Sequence, residues 1–274
     1  MNDVQSPHEK MNPYGDVESR LQRDNDDQIF FKRLESLIGR SGMSFSDTIT
    51  QFSAFVRRRE LARLLAHYEL FQHIRTLPGS IVELGVYRGA GMMTWHHFLE
   101  LFCPADRNRR VYGFDHFDGY QQARETEPSL APWIDGVLGT MIGDEDFVQE
   151  LLAIQNSDNF LHSVERSHLI AGDIHNTLPQ FIDDNPGLRL SLVYFDMGTY
   201  DATLCALKHL YSKIVTGGLL VFNGYGMKPW EGETQAVDDF FASRGGTPAM
   251  EKFTCSTIPH GWFKKSAQAH LEKP

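Results

Sequence analysis

The chain has 274 residues, of which 41% are hydrophobic and 23% are charged. A chain of this size and composition buries roughly three quarters of its unfolded surface on folding, so its stability does not require disulfide or metal cross-links. Its 36 acidic and 26 basic residues give a formal charge of -10, which argues against a nucleic-acid partner. Cys103, Cys205 and Cys255 form no Cys-x-x-Cys pair, and neither a signal peptide nor a membrane-spanning apolar run is present. We therefore expect a reduced, cytoplasmic protein that does not enter a membrane.

The first quarter of the chain contains no strand pattern. Residues 1–26 are polar and carry proline and glycine, which predicts a flexible arm. Residues 27–75 predict a helical extension, in which residues 44–74 carry a broad apolar stripe of Phe55, Leu61, Leu64, Leu65, Tyr68, Leu70 and Phe71. The basic run at 57–59 predicts a solvated face, with contact to an anionic substrate group as the alternative.

A glycine-rich turn follows at residues 79–91, GSIVELGVYRGAG, where a buried strand breaks and a helix begins. Gly85, Gly89 and Gly91 remove side chains where the backbone turns sharply or approaches a ligand, as in sites that cradle an adenosyl cofactor. The spacing differs from the Gly-x-Gly-x-x-Gly dinucleotide fingerprint and lacks the ending of a P-loop, which disfavours nicotinamide chemistry and nucleoside triphosphates. An ordinary strand-to-helix turn remains the alternative.

Several later apolar runs end in a polar side chain. VYGFD ends in Asp115, HLIAGD in Asp173, LSLVYFD in Asp196 and GGLLVFN in Asn223. Runs of this length between helical segments predict parallel strands covered on both faces, with the ligand crevice outside their carboxyl ends. Asp173 has a second interpretation as the cap of the helix that follows it.

The remaining segments complete an alternating pattern. Residues 116–147 predict an irregular insert that lines the site, because long loops in compact domains are usually functional or disordered. Helices are predicted near 92–102, 147–163, 178–182, 203–214 and 235–243. Residues 251–257 and 261–265 predict two antiparallel strands at the edge of the sheet.

Six motifs occur in order between about residues 52 and 265: ELGVYRG, FDHFDG, GDIHNTLP, YFDMGTYDAT, GGLLVFNGY and WEGETQAVDDF. They resemble the macrocin, mycinamicin and novobiocin type O-methyltransferases, S-adenosylmethionine-dependent enzymes that methylate sugar hydroxyls; the last motif is closer to the polysaccharide branch. The resemblance implies an α/β, Rossmann-like class I methyltransferase fold with helices on both faces of a mostly parallel seven-stranded sheet. Given the length and composition of the chain, we expect a single domain over residues 27–274, with its Rossmann-like core at 79–267.

The resemblance also assigns residues to the cofactor. Glu83, Gly85 and Gly89 would hold the methionine and ribose part of S-adenosylmethionine, together with Val86 and Tyr87 in the same turn. A sulfonium cation favours such an acidic cleft.

The other cofactor positions follow the later strands. Asp115 would accept hydrogen bonds from the ribose hydroxyls, and Asp173 with Ile174 would border the adenine. Asp196 would face the methionine part or the acceptor substrate.

The chain departs from the family where metal ligands are expected. The family pattern has Asp-x-Asp-x-Tyr after the fourth strand and two adjacent acids after the fifth, which together give a divalent-metal site and a candidate base. Here the corresponding residues are Asp196-Met197-Gly198-Thr199-Tyr200 and Asn223-Gly224. One carboxylate and one amide supply too few oxygen ligands for the octahedral coordination of magnesium, so we expect no divalent metal.

Because of this departure, the sequence does not identify the catalytic base. Candidates at or beside the strand ends are Asp196, His116, His175 and Tyr225, although each histidine has the alternative of an ordinary surface residue. Trp230 is consistent with stacking on a sugar or with hydrophobic packing, and Glu233 with a helix cap.

Together these features predict an O-methyltransferase for a small sugar or nucleotide sugar, with a homodimer formed through the N-terminal helices. The alternative is a catalytically silent cofactor-binding or interaction protein derived from the methyltransferase fold.

Overall fold

The computed structural model describes residues 17–267. Four helices precede the sheet: α1 (Val17–Ser41), α2 (Phe45–Thr50), α3 (Phe52–Phe55) and α4 (Arg58–Ile74). Residues 1–16 of the predicted arm lie outside the described residues, whereas residues 17–26 are the first turns of α1. Side-chain pairs four residues apart support these turns, including Arg20–Asp24 at 3.0 Å.

The sheet contains six strands in the described residues, in the order β3-β2-β1-β4-β5-β6. Five are parallel and β6 is antiparallel to β5. The strands are β1 (Ser80–Leu84), β2 (Val111–Asp115), β3 (Ser167–Ala171), β4 (Leu190–Phe195), β5 (Ile214–Phe222) and β6 (Gly261–Lys264). The helices between and after them are α5 (Ala90–Phe102), α6 (Ala123–Thr126), α7 (Ala131–Gly136), α8 (Glu145–Ser157), α9 (Ile174–Asp184), α10 (Tyr200–Leu210) and α11 (Glu231–Ala242).

Helices cover both faces of the sheet. One apolar core contains Phe71 of α4, Trp95 of α5 and Val148 of α8, while the other contains Leu207 of α10 and Phe240 of α11. This arrangement confirms the predicted α/β fold. No helix between residues 17 and 267 is long and apolar enough to cross a membrane.

The strand register brings the functional segments to one edge. Leu84 pairs with both Phe114 and Phe195, and Phe195 pairs with Phe222. The residues that follow these four positions therefore meet at the carboxyl ends of β1, β2, β4 and β5. The strand order reverses between β1 and β4, which is where doubly wound sheets bind ligands.

The predicted seventh strand is reduced to one bridge. Glu251 exchanges two backbone hydrogen bonds with Trp262, at 2.8 and 2.9 Å, and residues 252–260 continue as bends and irregular backbone. The buried ring of Phe253 stacks on Trp262 with centroids 5.8 Å apart. Side-chain burial, and not a second ladder, fixes this segment to β6.

Two helical predictions need correction. The predicted helix at 147–163 ends at Ser157, where α8 stops. On α4, Leu61, Leu65 and Tyr68 of the predicted stripe are exposed. The buried face is instead Ala66, His67, Leu70, Phe71 and Ile74, because α4 packs on α5 along the ridge that contains His67.

The insert at 116–147 is organised by short helices. Around α6 and α7, Ala123, Leu130, Ile134 and Leu138 form a small apolar cluster of their own. Tyr120 and Trp230 pack against this cluster, with ring centroids 5.2 Å apart. The insert is thereby attached to the segment that follows β5.

Candidate active site

Asp115, at the end of β2, joins two turns of unusual backbone conformation. Its Oδ2 accepts hydrogen bonds from the amides of Val86 and Tyr87, at 2.7 and 2.8 Å, and its Oδ1 accepts one from Phe117 at 2.8 Å. Tyr87 and Phe117 have φ values of 54° and 60°, which non-glycine residues adopt rarely. Strain of this kind persists where the surrounding structure holds it and is concentrated at functional sites.

Gly85 is required by the approach of two strands. Its φ is 93°, and a Cβ atom there would overlap the carbonyl oxygen of Asp196. Gly89, with a φ of 85°, precedes the first residue of α5, and a Cβ there would meet Val148 and Leu151 only at ordinary contact distances. The glycine turn thus brings β1 and β4 together below the cleft.

Glu83 lies beneath this turn and not on its open side. The side chain is fully enclosed, and its Oε2 accepts a hydrogen bond from Trp95 Nε1 at 2.8 Å. Burial raises the pKa of Glu83 to about 8, although Arg63 acts in the opposite direction. The carboxyl is therefore neutral at pH 7 and supports the turn from below.

Asp196, directly after β4, is held by two protein donors. Arg63 Nη2 donates to Oδ2 at 3.1 Å, and Asn223 Nδ2 donates to Oδ1 at 2.6 Å. Tyr194 donates its hydroxyl to Asn223 Oδ1 at 2.9 Å, which fixes the orientation of the amide. The pair is partly open to solvent, since 34% of the Arg63 side chain and 27% of the Asp196 side chain are accessible, and we call this opening at the carboxyl ends of the strands the cleft.

The charge state of this pair follows from its surroundings. Burial raises the pKa of Asp196 to about 6, against the opposing effects of Arg63 and Asn223. Burial also disfavours the charge on Arg63, but the interactions with Tyr194 and Asp196 outweigh it and raise the pKa of the guanidinium. At neutral pH the cleft holds a paired cation and anion.

Arg63 was not among the residues predicted from the sequence. It lies 133 positions before Asp196 in the chain, on the N-terminal helix α4. A signal was present, because Arg63 stands four residues before the buried His67 and seven before the buried Leu70, on the same helical face. A basic residue on a core-facing position is a candidate for a buried partner.

The end of β3 has a simpler local structure. Asp173 caps α9, accepting from the His175 amide at 2.9 Å, and its Oδ1 lies 2.8 Å from His175 Nδ1. Both side chains are exposed, whereas Ile174 is buried. The capping interpretation of Asp173 therefore holds in this structure, and the position bordering the adenine remains a prediction.

The three other base candidates make contacts away from Asp196. His116 is exposed, and its Nδ1 accepts from the Asp118 amide at 3.0 Å. Tyr225 donates its hydroxyl to Asp238 at 3.3 Å. Within residues 17–267, no hydrogen bond or ion pair joins His116, His175 or Tyr225 to Asp196.

Trp230 packs on Gly198 and Gly224, the two glycines at positions where the resemblance predicts acids. A Cβ on Gly198 would overlap Cε3 of the indole, and a Cβ on Gly224 would lie 2.6 Å from Trp230 Cβ. The indole therefore fills the space beside Asp196 and Asn223. No group of three or more His, Cys, Asp or Glu side chains suited to a metal occurs in the described part of the chain.

Glu233 holds the backbone of the same region. Its Oε1 accepts from the Gly224 amide at 2.8 Å, and the side chain is 0% exposed. Burial raises the pKa of Glu233 to about 8. Instead of capping α11, as the sequence suggested, Glu233 fastens the loop after β5 to the start of that helix.

The cleft suits a cationic adenosyl cofactor. Left-handed backbone at Gly85, Tyr87 and Gly89 opens the turn above β1, and Asp115 fixes it from β2. Asp115 is a part-exposed carboxylate with about one lone pair, on Oδ1, beyond the three that its amide contacts use. The fold and the arrangement of the strand ends define a Rossmann-like methyltransferase.

Comparison with known proteins gives the family. The pattern described as "Macrocin-O-methyltransferase (TylF)" matches residues 51–258, about three quarters of the chain. The chain belongs to this family of S-adenosylmethionine-dependent O-methyltransferases.

A curated relative agrees with this assignment. Mycinamicin III 3''-O-methyltransferase from Micromonospora griseorubida is 24% identical over 152 residues, 54% of this chain and 56% of that enzyme. The chain therefore spans about half the length of this relative.

Solved structures show the same fold. The calicheamicin methyltransferase CalS11 has a TM-score of 0.76 at 21% identity, with 96% of this chain and 98% of that chain covered. Its apo form, described as a TDP-rhamnose 3'-O-methyltransferase, gives 0.72 at 22% identity over 87% and 94%. The O-methyltransferase NovP gives 0.58 at 21% identity over 75% and 80%.

Proposed function

We propose that this protein transfers a methyl group from S-adenosylmethionine to a hydroxyl of a sugar or nucleotide sugar, without a divalent metal. The observation that carries the proposal is the open cleft at the strand ends, where Asp196 is held between Arg63 and Asn223. The names of the mycinamicin and TDP-rhamnose enzymes support a sugar acceptor.

The cofactor would be held by the residues that form the turn and its neighbours. Val86 and Tyr87 offer backbone around the methionine part, Asp115 accepts from the ribose hydroxyls, and Ile174 borders the adenine. When bound, S-adenosylmethionine supplies an electrophilic methyl group on a sulfonium sulfur. The main contribution of the chain is to place the acceptor oxygen in line with that methyl, because positioning lowers such barriers by roughly 7–11 kcal/mol.

Asp196 is the proposed base. Its pKa of about 6 is below neutral pH, so Asp196 is ionised there. The pKa is also near enough to neutral pH for the carboxylate to accept a proton from an acceptor hydroxyl. Each of its oxygens retains a lone pair beyond the bond to Arg63 or Asn223. A base of this kind contributes about 10²- to 10⁴-fold.

Absence of a metal is supported by the chemistry of the donors. Both oxygens of Asp196 are engaged by nitrogen donors, and Asn223 directs its NH₂ group toward Asp196 and its oxygen toward Tyr194. Gly198 and Gly224 supply no side-chain oxygen, and Trp230 occupies the adjoining space. Magnesium requires several oxygen ligands in octahedral geometry.

The first experiment is a calorimetric titration of the metal-free protein with S-adenosylmethionine. We expect binding by the wild type and a loss of about 10- to 100-fold in Asp115→Ala, since hydrogen bonds to charged groups contribute about 1.5–3 kcal/mol. Asp118→Ala is the matched control, because Asp118 is an exposed carboxylate three residues away. Equal affinity in the two variants would contradict the role of Asp115.

Labelled cofactor and candidate nucleotide sugars then test turnover in the presence of a chelator. Transfer that survives chelation supports the proposal, whereas transfer abolished by chelator overturns its metal-free part. Cofactor binding without transfer to any acceptor would favour the alternative, a catalytically silent protein.

A further inference from the structure

Three positions that carry metal-binding acids in the family pattern are occupied here by other residues, and the three changes act together. Two have become glycines, Gly198 and Gly224, and both lie under the indole of Trp230. A third has become Asn223, whose amide donates a hydrogen bond to the remaining acid, Asp196. The changes remove oxygen ligands and fill their space at the same time.

A positive charge is nevertheless present. The Arg63 guanidinium lies 3.1 Å from Asp196 Oδ2 and lines the open cleft, with a third of its side chain accessible. Four carboxyl groups from several elements interact electrostatically with this pair: Glu83 on β1 and Asp196 after β4 act on Arg63, whereas Asp115 on β2 and Glu233 on α11 act on Asp196. Among the described residues, no other Lys or Arg side chain is hydrogen-bonded to these four carboxyls.

We propose that the Arg63 guanidinium is the built-in cation of this site, in the place of the divalent ion of metal-dependent relatives. It fixes the Asp196 carboxylate and directs its remaining N–H groups toward the acceptor oxygen. Arg is suited to this role because its planar donors stay charged and are more weakly hydrated than an ammonium group. The proposal rests on the proposed methyl transfer and adds the group that replaces the metal.

The test uses Arg63→Ala, Arg63→Lys and the control Arg59→Ala. Arg59 is on the same helix but is 60% exposed and pairs with Asp27 and Glu60. We expect transfer to fall by about 10²-fold or more in Arg63→Ala, the usual loss when one donor to a developing charge is removed. Arg63→Lys should recover part of it, since lysine restores the charge without the planar donors.

Chemical rescue provides the decisive measurement. Guanidinium at millimolar concentration should raise both the transfer rate and the thermal unfolding midpoint of Arg63→Ala, whereas urea, its neutral analogue, should raise neither. Arg59→Ala should not respond. Full activity in Arg63→Ala, or equal responses to guanidinium and urea, would overturn the proposal, as would Mg²⁺-dependent transfer by the wild type.

Two measurements distinguish a failure of the proposal about Arg63 from a failure of the proposed methyl transfer. If the wild type does not bind S-adenosylmethionine, the proposed function fails, but the guanidinium-specific rise in unfolding midpoint still reports on the cation site. If Arg63→Ala does not fold, Arg63→Lys supplies the test. Unchanged transfer by folded Arg63→Lys would exclude a need for the planar donors.

Discussion

His67 is a buried histidine between two aromatic rings. Its ring stacks on Tyr194 at 5.0 Å and lies 4.6 Å from Trp95, and Nδ1 is 2.9 Å from the Arg63 carbonyl oxygen. Burial, and then the charge of Arg63, lower the pKa of His67 to about 3. The folded protein therefore keeps this imidazole neutral between about pH 3 and pH 6.5, where an unfolded histidine is already protonated.

This shift predicts acid sensitivity. Because the unfolded chain binds a proton near pH 6.5 and the folded chain does not, the contribution of His67 to stability is present above pH 6.5 and is lost as the pH falls toward 3. We expect the unfolding midpoint of His67→Phe to fall less between pH 7 and pH 5 than that of the wild type. His175→Phe is the control, since His175 is exposed. Parallel pH profiles for wild type and His67→Phe would refute the assignment.

Asp115 illustrates how one side chain combines local structure and binding. Its carboxylate stabilises left-handed Tyr87 and Phe117, so its removal affects the shape of the turn as well as any contact to a ligand. A circular dichroism spectrum recorded with the titration separates these two effects. The loop amides, and not ribose alone, explain why an acid is needed at the end of β2.

At the scale of elements, helix α4 connects the helical extension to the edge of the sheet where the carboxyl ends of the strands meet. Arg63 and His67, one turn apart, contact the end of β4, while Leu70 and Phe71 fill the core below. The sequence predicts a helix here, but the approach of Arg63 to Asp196 depends on how α4 docks against α5. That packing decides which turn of the helix meets the strand ends.

The start of α11 is fixed by the contact between Trp230 and the loop after β4. Gly198 has a φ of 71° and lies under the indole, so Gly198→Ala combines a disfavoured backbone conformation with overpacking. We expect destabilisation of about 2–4 kcal/mol, measured by urea unfolding. Gly187→Ala is the control, because no atom lies within 4 Å of a Cβ at Gly187 and its φ is ordinary.

A second substitution tests the origin of this loss. In the Trp230→Ala background, Gly198→Ala should cost only the backbone part, about 1–2 kcal/mol, because the clash with the ring is gone. An equal cost in both backgrounds would show that the indole does not restrict this position.

At the scale of the whole molecule, the N-terminal helices leave apolar side chains uncovered. On α1 to α3, Ile29, Phe31, Ile49 and Phe52 are about half exposed, and Phe45 is 83% exposed. Contiguous exposed apolar surface is typical of interaction sites. The predicted homodimer through these helices would cover it.

We expect the protein to sediment as a dimer and Phe45→Asp to shift it toward monomer, because the charge would be buried in the interface. Phe160→Asp is the control, since Phe160 is also exposed but lies after α8, outside the helical extension. A monomeric wild type, or a Phe45→Asp variant that remains a dimer, would contradict the prediction.

Much of the fold and part of the site follow from sequence periodicity. Apolar runs ending in Asp115, Asp196 and Asn223 predict parallel strands, and parallel strands place their carboxyl ends at one edge. Of the predicted edge hairpin, the strand at 261–265 is present as β6, whereas residues 251–257 form a single antiparallel bridge at Glu251, because Phe253 is buried by stacking on Trp262. Local sequence patterns predict individual helices and strands more reliably than they predict which segments pair at the edge of a sheet.

The sequence by itself determined the strand-turn-helix at Gly85 and the order of the motifs, because each of them depends on adjacent residues. Only the tertiary structure decided that Arg63 pairs with Asp196 and that Trp230 covers Gly198. These contacts join segments far apart in the chain, and their formation depends on the packing of helices whose docking no local pattern specifies.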